Sequence, residues 1–434
     1  MFYLIETLMR RFAAGSFIRH AATLMSGTLI AQLIGFASLP LLTRMYTVAD
    51  FGEYALYLAI AGFGTVIATG RYEMAIMLPK QDRDVINLVA LSVLIAALLS
   101  AGVLLLLSVA GLVCEWFQYG DKFPAWVYFI PLTILLTGIY QTLYYWLSRN
   151  KQFATLSQAR IAQAIATATV SILAGYAGDA GGLGLICGII VGQLVAVLWF
   201  AWVAKQHSSF TIKNVSRRRM RSNALRYKDF PIINSMHVAM DTIQSSVVPL
   251  IIGTLFGKIE LGYYAFAMRI IGAPVSLVSS TTAQIFFQRA SETFSSGKKL
   301  YPLVSKMQRH LAVIIIPVFL ILIAAAPLLF ENLFGPEWIS AGVVTQILSP
   351  WLAINIFASV ISQLPIILNK QRAAFFVSIV GKLVLMVSLA VGWIYRLDIL
   401  ATLAILSLLM SIYTICEIYW SNHITISSDI KNDT

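Results

Sequence analysis

Residues 85–112 read VINLVALSVLIAALLSAGVLLLLSVAGL, an apolar run without a single Asp, Glu, Lys or Arg. About 20 such residues cross a bilayer as a helix, because a helix satisfies all of its backbone polar groups within itself. Working outward from this run, further apolar stretches fall at 21–43, 53–70, 124–147, 155–177, 182–204, 231–256, 262–288, 310–330, 343–368, 374–395 and 399–420. A hydrophobic fraction of 59% and a mean hydropathy of +0.81 leave little material for a soluble domain. The expected fold class is an all-α membrane protein with about 12 transmembrane helices.

The charges set the orientation. Of the 31 Lys and Arg, 25 fall on one side of this span map, counting Arg160 near the start of the span at 155–177, 4 on the other and 2 well inside spans. The poor side holds only Arg44, Lys122, Lys258 and Arg396. Such a bias makes the rich side cytoplasmic and places both termini there. The net charge of +12 is therefore mostly a topology signal, reinforced by anionic cytoplasmic lipid, and does not call for nucleic acid. The block Arg217-Arg218-Arg219-Met220-Arg221 reads as a solvated loop at the lipid surface. Cys114, Cys187 and Cys416 lack the spacing of a metal or redox site, and the five histidines never cluster into a ligand set. No metal and no cofactor are expected. The loops on the poor side are too short to hold a catalytic domain, so an enzyme is not expected either.

The longest basic loop divides the chain. The expected organisation is an interfacial segment at 1–20, a first lobe at 21–204, a linker at 205–229, a second lobe at 230–421 and a cytoplasmic tail at 422–434. Each lobe carries a similar passage where its first span meets its second. The first runs from Pro40 through Arg44, Tyr46 and Asp50 to Gly52-Glu53-Tyr54-Ala55, and the second from Pro249 through Gly257 and Glu260 to Gly262-Tyr263-Tyr264-Ala265. With six spans each, the halves share one orientation. They are expected to be related by a pseudo-two-fold axis along the membrane normal, with a substrate site at their interface.

Three passages resemble the polysaccharide-transporter, or oligosaccharide flippase, family of the multidrug/oligosaccharidyl-lipid/polysaccharide exporter superfamily. They are Pro40–Tyr54, the most specific passage Arg71-Tyr72-Glu73-Met74-Ala75-Ile76, and Asp229-Phe230-Pro231 through Arg269 and Pro274 to Arg289. The resemblance is continuous over about residues 20–290, and the last four spans match in number and spacing alone. It implies an isoprenoid-diphosphate-linked oligosaccharide as substrate, carried to the outer leaflet of a bacterial inner membrane for O-antigen, capsule or exopolysaccharide assembly. Polysaccharide polymerase and chain-length machinery are the partners implied.

Candidate site residues come from charges that a bilayer does not tolerate alone, each costing roughly 2.5–3.5 kcal/mol at its centre on insertion scales. Asp241, Arg269 and Lys382 stand well inside spans. Asp241 and Arg269 either form a pair that fixes packing or line a wet cleft. The polar company of Asn234, His237, Gln244 and Ser245 on one face of span seven, and Ser276, Ser279 and Ser280 on span eight, favours the cleft. Gln32 adds a sparser polar position on span one. Arg269 and Lys382 against Asp241 leave the cleft positive, suited to a diphosphate. Arg44 and Arg71, near opposite faces, either hand the anion on or simply snorkel to the interface. Glu73 reads as local charge balance for Arg71. His237 and Asp241, one turn apart, either exchange a proton with the cleft or pack as hydrogen-bonding groups. Without a nucleotide-binding motif, a proton or sodium gradient is the expected energy source. Three other readings stay open: a multidrug exporter, which wants a carboxylate-rich cleft; a membrane-embedded polymerase, ligase or acyltransferase; and a scaffold of an envelope assembly.

Overall fold

The computed structural model describes residues 16–116, 123–178, 180–207, 210, 215–234 and 242–433, and these are helical with no strand among them. The helices are α1 (Ser16–Met45), α2 (Val48–Ile67), α3 (Asp82–Trp116), α4 (Ile130–Arg149), α5 (Phe153–Tyr176), α6 (Gly181–Gln206), α7 (Arg217–Arg226), α8 (Val248–Leu255), α9 (Lys258–Ser295), α10 (Tyr301–Phe334), α11 (Ile339–Ile361), α12 (Gln371–Ile394) and α13 (Ile399–Asp433). Among the described residues, nine helices are long and apolar enough to cross a membrane. α2 and α5 occupy two more of the twelve expected positions but dilute their hydropathy, α2 with Asp50 and Glu53 in its first turns and α5 with Gln, Thr and Ser. The seventh span, expected at 231–256, is described only in part. It opens with the π-helical turn Phe230–Asn234 and resumes through a second, Ile243–Val247, into α8.

The all-α membrane fold is thus as the hydropathy demands. Its outward faces are apolar and uncovered, as at Leu105 and Leu106, which are 65% and 70% exposed on α3. Small residues bring α5 and α6 together. A Cβ on Gly188 or Gly192 of α6 would collide with Ser171 or Thr167 of α5, so these glycines let the two backbones meet.

Two compact units divide the chain at Leu250/Ile251, inside the seventh segment and not in the basic linker. The reason is local. The turn 243–247 packs on α2, where a Cβ on Gly62 would sit 2.6 Å from Ser246 Oγ, and α7 packs on α3. The first unit centres on α5, which lies against α1 and α6, with α4 joining α3 and α6. The second centres on α11, which lies against α9, α10 and α13.

The repeated Gly-x-Tyr-Ala elements stand at the same register of their helices. Gly52 stands four residues after Val48, the first residue of α2, and Gly262 four residues after Lys258, the first of α9. In the first unit the junction is a capping box: the Thr47 hydroxyl accepts from the Asp50 N–H at 3.3 Å and the Asp50 carboxylate accepts from the Thr47 N–H at 2.8 Å. Beside it the Tyr46 hydroxyl donates to the Ser171 carbonyl at 2.6 Å, and burial, with Asp50 nearby, pushes its pKa up to about 12, so it stays a donor at any physiological pH.

Two expected boundaries change. The linker is not a solvated loop, since 217–226 is the docked helix α7. The expected tail 422–434 continues α13 to Asp433, because the buried Asp429 carboxylate accepts the N–H groups of Leu300 and Tyr301, each at 2.8 Å, where α10 begins. Of the expected interfacial segment, residues 1–15 lie outside the described residues.

Candidate functional site

The Arg71-Tyr72-Glu73 passage forms a tight turn between α2 and α3. Gly70 and Arg71 both take positive φ, 57° and 59°, to reverse the chain into the single helical turn Tyr72–Ala75. Only glycine does this without strain, so Arg71 is held there by what its side chain meets. Arg71 Nη1 lies 3.5 Å from Glu73 Oε1, and Glu73 is fully buried with Thr69 donating to its other oxygen. Arg71 Nε and Glu73 Oε1 are buried with no hydrogen bond. The C-terminal end of the turn is clamped by Arg149, whose guanidinium donates to the carbonyls of Ile76 and Met77 at 3.2 Å and of Pro79 at 2.6 Å. Arg71, whose side chain is 16% exposed, is therefore paired with the buried Glu73 within this turn. Glu73 is its charge balance.

A second cation of the first unit was counted above with the basic side. Arg160 stands seven residues into α5 and is partly buried. It donates to the Thr28 hydroxyl of α1, lies 5.5 Å over the Tyr144 ring of α4 and sets its field on the Tyr140 hydroxyl. Tyr140 and Tyr144 stack with centroids 6.2 Å apart, and Tyr145 meets Tyr144 edge-on while lying in the field of both Arg71 and Glu73. A guanidinium fixed beside amphipathic rings can take an anionic group with a flat polar partner. On the neighbouring faces, Gln193 donates to Thr137 at 2.8 Å, and Gln141 Oε1 is buried with no partner.

In the second unit, Lys382 on α12 lies in the field of Glu417 on α13, and Glu417 stands one turn beyond Tyr413. Tyr413 reaches the Val377 carbonyl at 2.9 Å. Gly381 makes room for this ring, since a Cβ there would approach it to 2.5 Å. Arg269 is partly buried in the first third of α9, and Gln32 is partly buried on α1. Arg44 is exposed in the last turn of α1, where a cation complements the helix dipole. Asn234 and Gln244 fall in the two π-helical turns, with side chains outside the described residues, as are Asp241 and His237 entirely. Among the described residues, no three His, Cys, Asp or Glu gather to hold a metal.

Arg160 and Glu417 are the side chains the span map passed over. Arg160 was legible as a charge two turns inside a span, and Glu417 as one turn beyond Tyr413 on a single face. The tyrosine stack was not, since aromatic residues on α4 read equally well as core.

Whole-chain comparison with solved structures places the fold. An inward-facing multidrug resistance MATE family transporter of the MOP superfamily matches with a TM-score of 0.69 at 13% identity, over 94% of this chain and 96% of that one. The lipid II flippase MurJ in an inward closed conformation matches with a TM-score of 0.64 at 14% identity, over 92% and 87%. A MOP superfamily transporter from Pyrococcus furiosus, for which a binding pocket of reverse polarity is described, matches with a TM-score of 0.57 at 13% identity, over 94% and 95%. The protein is therefore a multi-pass membrane protein with the MOP transporter fold. It belongs to the polysaccharide biosynthesis protein family, whose model matches residues 41–343. No curated protein sequence matches it.

Proposed function

We propose that this protein is a flippase that carries isoprenoid-diphosphate-linked oligosaccharide from the cytoplasmic to the outer leaflet of a bacterial inner membrane by alternating access. The glycan would feed O-antigen, capsule or exopolysaccharide assembly, handing product to a polymerase and its chain-length machinery. The observation that carries the proposal is membership of a polysaccharide biosynthesis family on a transporter fold. The MurJ likeness, to a flippase of lipid II, favours a lipid-linked cargo. The chemistry is consistent with this. A diphosphate and a hydrated glycan cannot enter hydrocarbon without a polar, cationic path, and Arg269 and Lys382 stand within the expected spans.

In this proposal Arg269 grips the diphosphate through its fork and Lys382 adds a mobile charge that Glu417 holds when the site is empty. Gln32, Asn234 and Gln244 hydrogen-bond the glycan, Arg44 meets the anion at the outer face, and Arg71 acts through the turn it braces. Asp241 and His237 couple the cycle to a proton or sodium gradient. A multidrug exporter is the second reading, favoured by the MATE likeness. It calls for carboxylates where Arg269 and Lys382 stand.

The test is the Arg269 series in cells. Arg269→Ala abolishes surface glycan while protein level stays near normal, and Arg269→Lys retains part, keeping charge but not the fork. Normal display with Arg269→Ala, or loss of display only because the protein disappears, contradicts the assignment.

A further inference from the structure

α7 is built from arginines in an unfavourable place. Arg217, Arg218 and Arg219 fill its first turn, at the positive end of the helix dipole, and the turn carries no acidic residue of its own. Arg217 and Arg221 stand at i, i+4 and Arg218 and Arg221 at i, i+3, spacings at which like charges repel. The helix is nevertheless held firmly along one side. Asn223, buried to 4%, donates to the Asp84 carbonyl at 3.2 Å. The Ser216 N–H donates to Asn87 Oδ1 at 2.8 Å, and Asn87 is itself fully buried and donates to the Arg83 carbonyl at 2.6 Å. Arg219 lies 3.9 Å from Asp84. Finally, the Tyr72 hydroxyl donates to the Ala224 carbonyl at 3.0 Å, which joins α7 to the residue between Arg71 and Glu73.

The other side is uncovered. Arg218, Arg221 and Leu225 form one exposed stripe, with Arg217 and Arg226 on its flanks and Lys228 just beyond the helix. Leu225 is 64% exposed and Ile232, in the following turn, 65%. A large apolar side chain at the centre of a basic face is the pattern of a helix lying at a lipid surface, where arginines meet headgroup phosphates and leucine enters the acyl boundary. The chain holds it at that depth, because α7 sits between the end of α6 and the start of the seventh segment and docks on the first turns of α3. Charge complementarity and this tether point to one occupant.

We propose that α7 binds anionic phospholipid through Arg218, Arg221 and Leu225, and that Tyr72 transmits occupancy to the Arg71–Glu73 turn. The lipid is a regulator at a surface apart from the transport site, so the inference stands or falls independently of the cargo.

Hydrogen exchange of the full chain tests it, in nanodiscs of phosphatidylcholine alone and of phosphatidylcholine mixed with phosphatidylglycerol. At about 1 kcal/mol per arginine near an anionic surface, phosphatidylglycerol slows exchange across 217–226 by on the order of tenfold or more, and by less across 71–78. High salt reverses the effect. Arg218→Gln with Arg221→Gln removes it, whereas Arg218→Lys with Arg221→Lys keeps most of it. Tyr72→Phe keeps the response in 217–226 and loses it in 71–78. Equal exchange of the unaltered protein in the two lipids overturns the proposal, as does a response that survives the double glutamine variant. A response at 71–78 unchanged by Tyr72→Phe overturns the transmission.

Discussion

Glu73 is fully buried, with Arg71 lying against one oxygen and Thr69 donating to the other. Removing one member of such a pair strands the other in low dielectric, at a cost of roughly 3–5 kcal/mol, while replacing both by apolar residues is often neutral. Glu73→Ala is therefore expected to lower the thermal stability of the purified protein sharply, and Arg71→Leu with Glu73→Leu to recover most of the loss. Equal damage from the single and double variants would show that the turn needs the charges for something other than each other. The Arg-Tyr-Glu passage stood out in the sequence as a motif, and the charge balance at Glu73 was legible from its nearness to Arg71. The burial was not, because a loop between two spans gives no signal that its carboxylate is enclosed. Lys382 shows the same limit, since its partner Glu417 is 35 residues away on another helix and only packing brings them together.

Helices end where their hydrogen-bonding ends are satisfied, and hydropathy alone does not locate that point. α13 continues past its apolar stretch to Asp433 because Asp429 caps the start of α10 across the packed pair. Hydrogen bonds to a charged group are worth about 1.5–3 kcal/mol each, so Asp429→Ala is expected to destabilise the second unit by a few kcal/mol. Exchange at Leu300 and Tyr301 should rise well above that of the rest of α10. If those amides stay as protected as before, the carboxylate is not what holds them. The positions of the spans were legible because a stretch of apolar residues has few alternatives. The basic linker was not, because five arginines in ten residues read as loop until Asn87, Asn223 and Tyr72 are seen to hold them as helix.

Across the whole chain the repeated Gly-x-Tyr-Ala passages stand at the same register, at the start of α2 and of α9, which supports two related halves of the kind the span count implies. The unit boundary was less legible: the longest loop drew it at 205–229, whereas packing on α2 and α3 carries the first unit to Leu250. Lysine and arginine asymmetry predicts that both termini and the 205–229 linker face the cytoplasm. Reporter fusions at 113–124 and at Arg217 should therefore lie on opposite sides, and fusions reporting the same side would overturn the span map. The central claim is that this fold moves a lipid-linked glycan, and vesicle reconstitution tests it most directly. The purified protein is placed in liposomes with a labelled isoprenoid-diphosphate oligosaccharide, and a glycan-cleaving enzyme is added outside. The account predicts that label in the inner leaflet becomes accessible to the enzyme with the unaltered protein and stays protected with Arg269→Ala. Label that remains protected with the unaltered protein, in vesicles that expel organic cations, would contradict the account and establish a multidrug exporter instead.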